Sequence, residues 1–478
     1  MKKNSSIRVR FAPTPRGNVH IVKLRAALIN WLFAQQHNGT FVLRIDDLNA
    51  AELREDGVER LLQDLNWLGL SYNEGGVENN GAFGPYQQSE RESIYKFFIE
   101  KLLNEESAYR CFCTPPIIAK SSLHRKLRDI GCQNNCKDLS SAAKKKLMEK
   151  NIPSVVRLRV PHGEIIFDDM VQGQICFKGD ALGDFIIANS EGHPTTFFAG
   201  AIDDSAMMIS HVIRGNGFVS RTPRHIVICR ALDLEPPVFG HLTPIADADG
   251  VPVSHDTNYA TIGWFRREGF FPETVLAFAA QLAGLSVDSQ ERPSLEGLLA
   301  NFDISYIITM APVFDLQALK TLNQNEINRL EREDLVTALL PFLADVGFPF
   351  DDERINKIID LYQDSIQSFA EFAQRVSFFN KNSLPISDRT ALACIQKSSS
   401  QKVIWSFKRK LATLSNLDAG NFQRVMMNVK QETGIMGSAL WQPIRIALTG
   451  ALDGPDLAAI AALLGKERCS KFIENNVR

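Results

Sequence analysis

The sequence predicts an α/β protein, in which a doubly wound domain is split by an insertion and followed by an α-helical domain. Three observations predict it. A β-rich run, Ile7–Ala12, breaks at Pro13-Thr14-Pro15-Arg16-Gly17 and leads into a helical period and then a second apolar run. Residues 106–190 depart from that pattern, with clustered cysteines and short β-like runs. From about residue 320 nearly every segment carries helical spacing.

The elements follow in order. The alternation of Ile7–Ala12 suits a strand. Leu24, Ala27, Leu28, Trp31 and Leu32 then recur at helical spacing between Ile21 and His37, and Gly39 supplies the stop. Phe41–Ile45 reads as a second buried strand ending in Asp46-Asp47. A strand–turn–helix–strand opening places a ligand crevice at the strand ends. Ala51–Leu68 is helical in period. The irregular region holds Lys144, Lys145 and Lys146 and the β-like Val155–Val160. Alternating segments return near Thr195–Ile213, and Arg224–Leu234 is helical. The divisions expected are 1–105, the first half of the α/β domain; 106–190, the insertion; 191–245, the second half; 246–320, a connecting region; and 321–478, the helical domain.

The chain has 478 residues, with 53 Lys+Arg against 55 Asp+Glu and a net charge of −2. That length exceeds what one core serves. Near-neutrality excludes a wholly basic, histone-like binder but not nucleic-acid binding, which depends on a local positive face. No apolar run reaches the roughly 20 residues that span a bilayer. Met1–Ser6 is not followed by the apolar region of a signal peptide. The expectation is a cytoplasmic monomer with no membrane partner.

Eight cysteines are too sparse for a disulfide scaffold. Cys176, Cys229, Cys394 and Cys469 are scattered and read as ordinary core or surface residues. Cys111 and Cys113, then 18 residues, then Cys132 and Cys136, form two close pairs across a loop. Zinc takes four thiolates tetrahedrally, and this spacing supplies them. The plainer alternative is four unligated thiols. Lys144–Lys146 and Lys408-Arg409-Lys410 suit either phosphate contacts or solvated faces.

Arg10-Phe11-Ala12-Pro13-Thr14-Pro15-Arg16-Gly17-Asn18-Val19-His20-Ile21 resembles the first signature of class I glutamyl-tRNA synthetases. Further matches follow in order at Arg44–Asp47, Leu65–Leu70, Gly84–Arg91, Tyr109–Thr114, Val156–Asp169, Gly192–Asp204, Ser210–Gly215, Thr222–Ile226 and Ile444–Arg468. The resemblance implies a Rossmann-type catalytic domain split by an acceptor-stem-binding insertion, a stem-contact region, and an α-helical anticodon-binding domain. It implies activation of glutamate with ATP and Mg²⁺ and transfer to the 3′ end of tRNA. Several members of that family carry a similar zinc site, here Cys111, Cys113, Cys132 and Cys136, which would pin the insertion.

The residues that would handle ATP depart from the family pattern. In the HIGH-type motif small residues normally follow His-Ile, so that backbone lies flat beneath adenine while the helix N-terminus and the His meet the phosphates. This chain keeps His20 but continues Val22-Lys23. The KMSKS-like loop supplies lysines to the departing pyrophosphate. It reads Val251-Pro252-Val253-Ser254-His255-Asp256, in which Ser254 alone matches and Asp256 adds an opposing charge. His255 reads as a substitute cation or as a solvated loop residue. The expectation is that ATP-dependent adenylation is lost or severely reduced. The alternative is that Lys23 and His255 rebuild the missing charge.

The pocket for the amino acid is better kept. The family's two carboxylate-binding arginines map to Arg10 and Arg214, whose forked guanidinium suits a carboxylate. The acid that holds the substrate ammonium maps to Asp46, one methylene shorter than the usual Glu, and Thr14 stands at a family Ser. Thr196 replaces the pocket Tyr, and Gly215-Asn216-Gly217 stands where Gly-Glu-Asp is usual. The bland alternative is that both arginines only form ion pairs across a crevice. The leading expectation is therefore a protein that binds tRNA, tRNA-Glu by resemblance, and an amino acid or aminoacyl group. Charged tRNA would then serve as donor or as cargo for a partner enzyme. The alternatives are a working divergent glutamate–tRNA ligase, which needs ATP and Mg²⁺, and a non-catalytic regulatory scaffold.

Overall fold

In a computed structural model the described residues are 6–113, 136–253, 260–287, 292–307, 309–348, 354–381, 384, 386 and 388–476. The chain divides into two compact units. One runs to Arg266 and takes in Pro272–Leu316; the other joins Arg267–Phe271 to the chain from Gln317 onward.

The first unit begins with β1 (Arg8–Phe11), α1 (Ile21–Gln36), β2 (Thr40–Leu43), α2 (Gly57–Trp67) and β3 (Glu74–Gly75). β1 runs parallel to β2, with Arg8 opposite Thr40 and Phe11 opposite Leu43, and β2 runs parallel to β3. Val9, Phe11, Phe41, Val42 and Leu43 are buried, as befits strands covered on both faces. α1 is buried along most of its length, from Ile21 to Ala34. Two polar residues sit in that buried helix, and both are bonded to main-chain carbonyls. Arg25 donates to Leu282 O at 3.0 Å and to Thr243 O; Asn30 donates to Ile213 O at 2.9 Å.

After α3 (Glu92–Asn104) the chain forms a small antiparallel sheet, β4 (Ala108–Cys111), β5 (Val155–Leu158) and β8 (Phe185–Ala188), in the order β4-β5-β8. Between β5 and β8 lies a hairpin of β6 (Glu164–Asp169) and β7 (Gly173–Lys178). The chain then continues through β9 (His211–Gly215) and β10 (Val238–Leu242). These strands order as β7-β6-β10-β9, with β10 parallel to both of its neighbours. β6 therefore belongs to a sheet built with β9 and β10, although in sequence it lies within 106–190.

The seam that matters is between β1 and β9. Ser210 N donates to Arg8 O at 2.9 Å, and Val238 N donates to Ser210 O at 2.9 Å. The parallel strands thus continue across β3, β2 and β1 to β9 and β10, and the order reverses where β1 meets β9. Such a reversal opens a crevice at the carboxyl ends of the strands. Arg10 near the end of β1 and Arg214 near the end of β9 stand at that place.

The second unit is helical, with Arg332–Asp345, Ser398–Ala412, Ala419–Thr433, Ser438–Thr449 and Leu457–Asn476 among its helices. Leu335, Leu339, Ile358, Phe379, Phe407 and Phe422 are buried in its core. Asp418 caps Ala419–Thr433 by accepting from Asn421 N, and Gly434 ends it in the left-handed conformation. Among the described residues no helix is long and apolar enough to cross a membrane.

Candidate active site

The turn after β1 is fixed from several sides. Asp64 of α2 accepts from Val19 N at 2.7 Å and from Asn18 Nδ2 at 3.3 Å. His20 is buried and caps α1, its Nδ1 accepting from Val22 N at 3.3 Å. That contact puts the His20 proton on Nε2. Val22 is half-buried. Lys23 turns back over the preceding turn, with Nζ 3.4 Å from Thr14 O. Burial, and then the charge of Arg16, lower the Lys23 ammonium to about 8.

Ser254 and His255, together with Asp256, lie outside the described residues. Both flanks of their loop are anchored. Val253 N donates to Ile245 O, and on the far side Ile262 N donates to Val19 O, each at 2.8 Å. A bridge between His20 and Thr261 ties that far flank to the start of α1.

Three arginines and three aspartates interlock beneath the crevice. Arg44 reaches Asp46 Oδ1 at 2.7 Å through Nε and Asp46 Oδ2 at 3.3 Å through Nη2. Its Nη1 reaches Asp204 Oδ1 at 2.7 Å, which also accepts from Arg10 Nε at 3.1 Å. Arg91 Nε, Gln88 Nε2 and Tyr95 Oη all donate to Asp203, at 2.7, 2.7 and 2.9 Å. Burial alone would raise the Asp204 carboxyl, but Arg10 and Arg44 hold it well below the usual range. Burial lifts the Asp46 carboxyl despite Arg44, which places this acid apart from Asp204. Asp46 also remains beside the first turn, because Asp46 N donates to Pro13 O at 3.1 Å.

Arg214 differs from Arg10. It has no ion pair among the described residues. Its Nε lies 3.3 Å from His241 Nε2, and Nη2 donates to Thr222 Oγ1 at 2.8 Å. Burial and the nearby Arg10 push the guanidinium down to about 9. A guanidinium does not shed its proton at neutral pH, so the direction marks a desolvated cation suited to an incoming anion. His225 is buried nearby; burial lowers it to about 3, so it is neutral, and its Nε2 has no hydrogen-bond partner among the described residues.

The predicted pocket residues are therefore placed unequally. Arg10, Asp46 and Arg214 come together around the end of the parallel strands, and Thr14 contributes its carbonyl to the turn beside them. Thr196 does not join them through any hydrogen bond; it is exposed at the start of Thr196–Ala206, the helix that carries Asp203 and Asp204. Arg10 is ion-paired with Asp204, and Arg214 has no such pair among the described residues. Sequence reasoning passed over Arg44, Arg91, Asp203, Asp204 and the His241 contacts, although all but His241 lie inside the quoted motifs.

The cysteine cluster forms a second centre. The Sγ atoms of Cys111, Cys113 and Cys136 lie within 4.8 Å of one another, and Cys113 Sγ is 3.7 Å from Cys136 Sγ. Two thiolates on a tetrahedral zinc with bonds of about 2.3 Å stand roughly 3.8 Å apart, so the three sulfurs fit a metal. Cys132 lies outside the described residues. In the helical unit the basic run is already matched: Lys408 pairs with Glu474 at 3.3 Å, and Arg409 and Lys410 pair with Glu432 at 2.5 and 2.8 Å.

Residues 6–321 match the family model for the catalytic domain of class I tRNA synthetases (E and Q), and residues 334–476 match an anticodon binding domain. A glutamate–tRNA ligase of Bacillus licheniformis is 33% identical over 99% of this chain and 100% of its own length. Glutamate–tRNA ligase 2 of Caldanaerobacter subterraneus subsp. tengcongensis is 34% identical, covering 98% of each. A glutamate tRNA ligase from Elizabethkingia meningosepticum, solved in complex with its amino acid, superposes with a TM-score of 0.73 at 25% identity, covering 99% of each chain. The glutamate–tRNA synthetase of Elizabethkingia anophelis gives 0.74 at 25% identity, over 99% of this chain and 100% of that one. With its doubly wound parallel strands, its paired arginines at the crevice and these relatives along its full length, the chain belongs to the glutamate–tRNA ligase family of class I tRNA synthetases.

Proposed function

We propose that this chain binds tRNA and a carboxylate-bearing amino acid, free or as the acyl group on tRNA, with ordinary ATP-dependent adenylation lost or repurposed. The observation that carries the reading is Lys23. Its side chain lies across the turn at Thr14, beside half-buried Val22, on ground where the family keeps small residues for the nucleotide. Bulk there opposes adenine, while the pocket next to it keeps its cations. Among the described residues Arg10 bonds through Nε alone, to Asp204, and Arg214 leaves Nη1 without a partner.

In this reading Arg214 and Arg10 receive the carboxylate, and Asp46 receives the ammonium from the far side. Cys111, Cys113, Cys132 and Cys136 hold a structural zinc, which fixes the segment that approaches the tRNA acceptor end. Charged tRNA would then be a donor, or cargo for a partner enzyme. One observation favours the working-ligase reading instead. Lys23 is a cation at neutral pH near the N-terminus of α1, where phosphate charge is favoured. ATP and Mg²⁺ would serve under that reading.

ATP–pyrophosphate exchange in the presence of glutamate separates the two. The expected result is little or no exchange, with gel shifts that favour charged over uncharged tRNA. Robust exchange would establish the ligase. Equal affinity for charged and uncharged tRNA would end the donor or cargo reading, and failure of both assays would leave a scaffold.

A further inference from the structure

Three adjacent strands bring Asp169, His241 and Arg214 into one line. In the parallel register, His241 of β10 stands opposite Arg214 of β9, and Phe239 of β10 stands opposite Asp169 of β6. The side chains then connect across the sheet. Asp169 Oδ2 lies 2.5 Å from His241 Nδ1; His241 Nε2 lies 3.3 Å from Arg214 Nε and 2.9 Å from Thr222 Oγ1. Thr222 Oγ1 in turn accepts from Arg214 Nη2 at 2.8 Å.

One tautomer satisfies this line. Arg214 is donor-only, so His241 Nε2 must carry a lone pair toward it, and the ring proton must sit on Nδ1 facing Asp169. Asp169 is held in turn by backbone: its Oδ1 accepts from Val171 N and Gln172 N at 3.0 Å and from His241 N at 3.1 Å. Both Asp169 and His241 have fully buried side chains. The guanidinium is also flanked by the rings of Phe218 and Phe239, at 5.3 and 5.6 Å from their centroids.

We infer that Asp169 and His241 are positioning residues that lock the Nε–Nη2 edge of Arg214 and so aim Nη1 at the side-chain carboxylate of the substrate. The inference rests on the reading that Arg214 receives that carboxylate. Asp169 selects the His241 tautomer, and His241 together with Thr222 fixes the plane of the guanidinium. Without the line Arg214 keeps its charge but loses its direction, and a misdirected cation near a substrate costs affinity.

The test compares binding of L-glutamate and L-glutamine by titration calorimetry in the full chain and in Asp169→Asn, His241→Phe and His241→Gln. The unaltered chain should prefer glutamate. Asp169→Asn and His241→Phe should weaken glutamate by about tenfold or more while leaving glutamine unchanged. His241→Gln, which restores an acceptor near the Nε2 position, should recover most of the loss. Equal glutamate affinity across the variants overturns the inference alone. So does an equal loss for both amino acids with a fallen melting temperature, which would show a structural role. An unaltered chain that prefers neither amino acid overturns the pocket reading as well. A readout independent of variant folding is ¹⁵N-histidine NMR of the unaltered chain. It should show a neutral His241 protonated on Nδ1, and protonation on Nε2 would sink the inference.

Discussion

Arg44 grips Asp46 at two points, Nε on Oδ1 at 2.7 Å and Nη2 on Oδ2 at 3.3 Å, while its third nitrogen holds Asp204. The residue expected to meet a substrate ammonium is thus fixed by a buried neighbour two positions earlier. A carboxylate has lone pairs beyond those two contacts, so Asp46 keeps acceptor capacity on its solvent side. Its side chain is 24% exposed, against 2% for Arg44.

Arg44→Met should destabilise the protein strongly. It would leave Asp46 and Asp204, with Asp203 3.9 Å from Arg44 Nε, short of a cation. Breaking a buried pair on one side costs about 3–5 kcal/mol. A urea unfolding midpoint close to that of the unaltered chain would show that Arg10 and Arg91 suffice.

His225 should make stability fall with acid. Its folded value is about 3, against an ordinary value of about 6.5. Between those values the unfolded chain binds a proton that the folded chain refuses. Stability is therefore highest above about 6.5 and declines as pH drops toward about 3. From pH 7 to pH 5 this one residue should contribute a loss of about 2 kcal/mol. His225→Met should flatten that part of the urea profile, and an unchanged slope would assign the titration elsewhere.

How much of this was legible in the sequence depends on the distance over which the partners meet. His20 at the start of α1 follows from a short motif with local meaning, whereas the placing of Arg10 and Arg214 at one crevice was implied only by the family resemblance. The contacts of Asp203 and Asp204 were not legible: Arg91 and Arg44 reach them from 112 and 160 residues away. The link from Asp169 to His241 spans 72 residues and depends on strand register, which periodicity does not fix. Thr196 shows the converse. Its substitution could be read directly, yet its exposure at the head of a helix could not. Lys408, Arg409 and Lys410 read as a free basic face until Glu432 and Glu474 are seen beside them.

The cysteine cluster should need its metal. Among the described residues Tyr109, Cys111, Phe112 and Cys136 are buried in that small core, with Leu139, Leu147, Ile152 and Val155 partly buried against it, and a core of that size gains from a metal staple. Freshly purified protein should carry about one zinc per chain by elemental analysis. Cys136→Ser should lower that content and make the segment sensitive to protease. A metal-free protein with the same protease resistance would exclude the site.

Val22→Gly with Lys23→Gly should raise ATP affinity by about tenfold, measured by titration calorimetry, because it clears the surface beside His20. Each glycine near the start of α1 costs at most about 1 kcal/mol of helix stability, so the fold should survive. Exchange should nonetheless stay low, since the loop around Ser254 and His255 still lacks the family's lysines. The pH dependence of the unaltered chain decides what Lys23 does. Its ammonium is charged below about 8 and neutral above it. If Lys23 only fills space, weak ATP binding should be the same at pH 7 and pH 9. If Lys23 replaces the lost phosphate-binding charge, affinity should fall across that interval and the double glycine variant should bind more weakly than the unaltered chain. That pair of outcomes would move the protein from a crevice closed to nucleotide to one that meets phosphate from a new position.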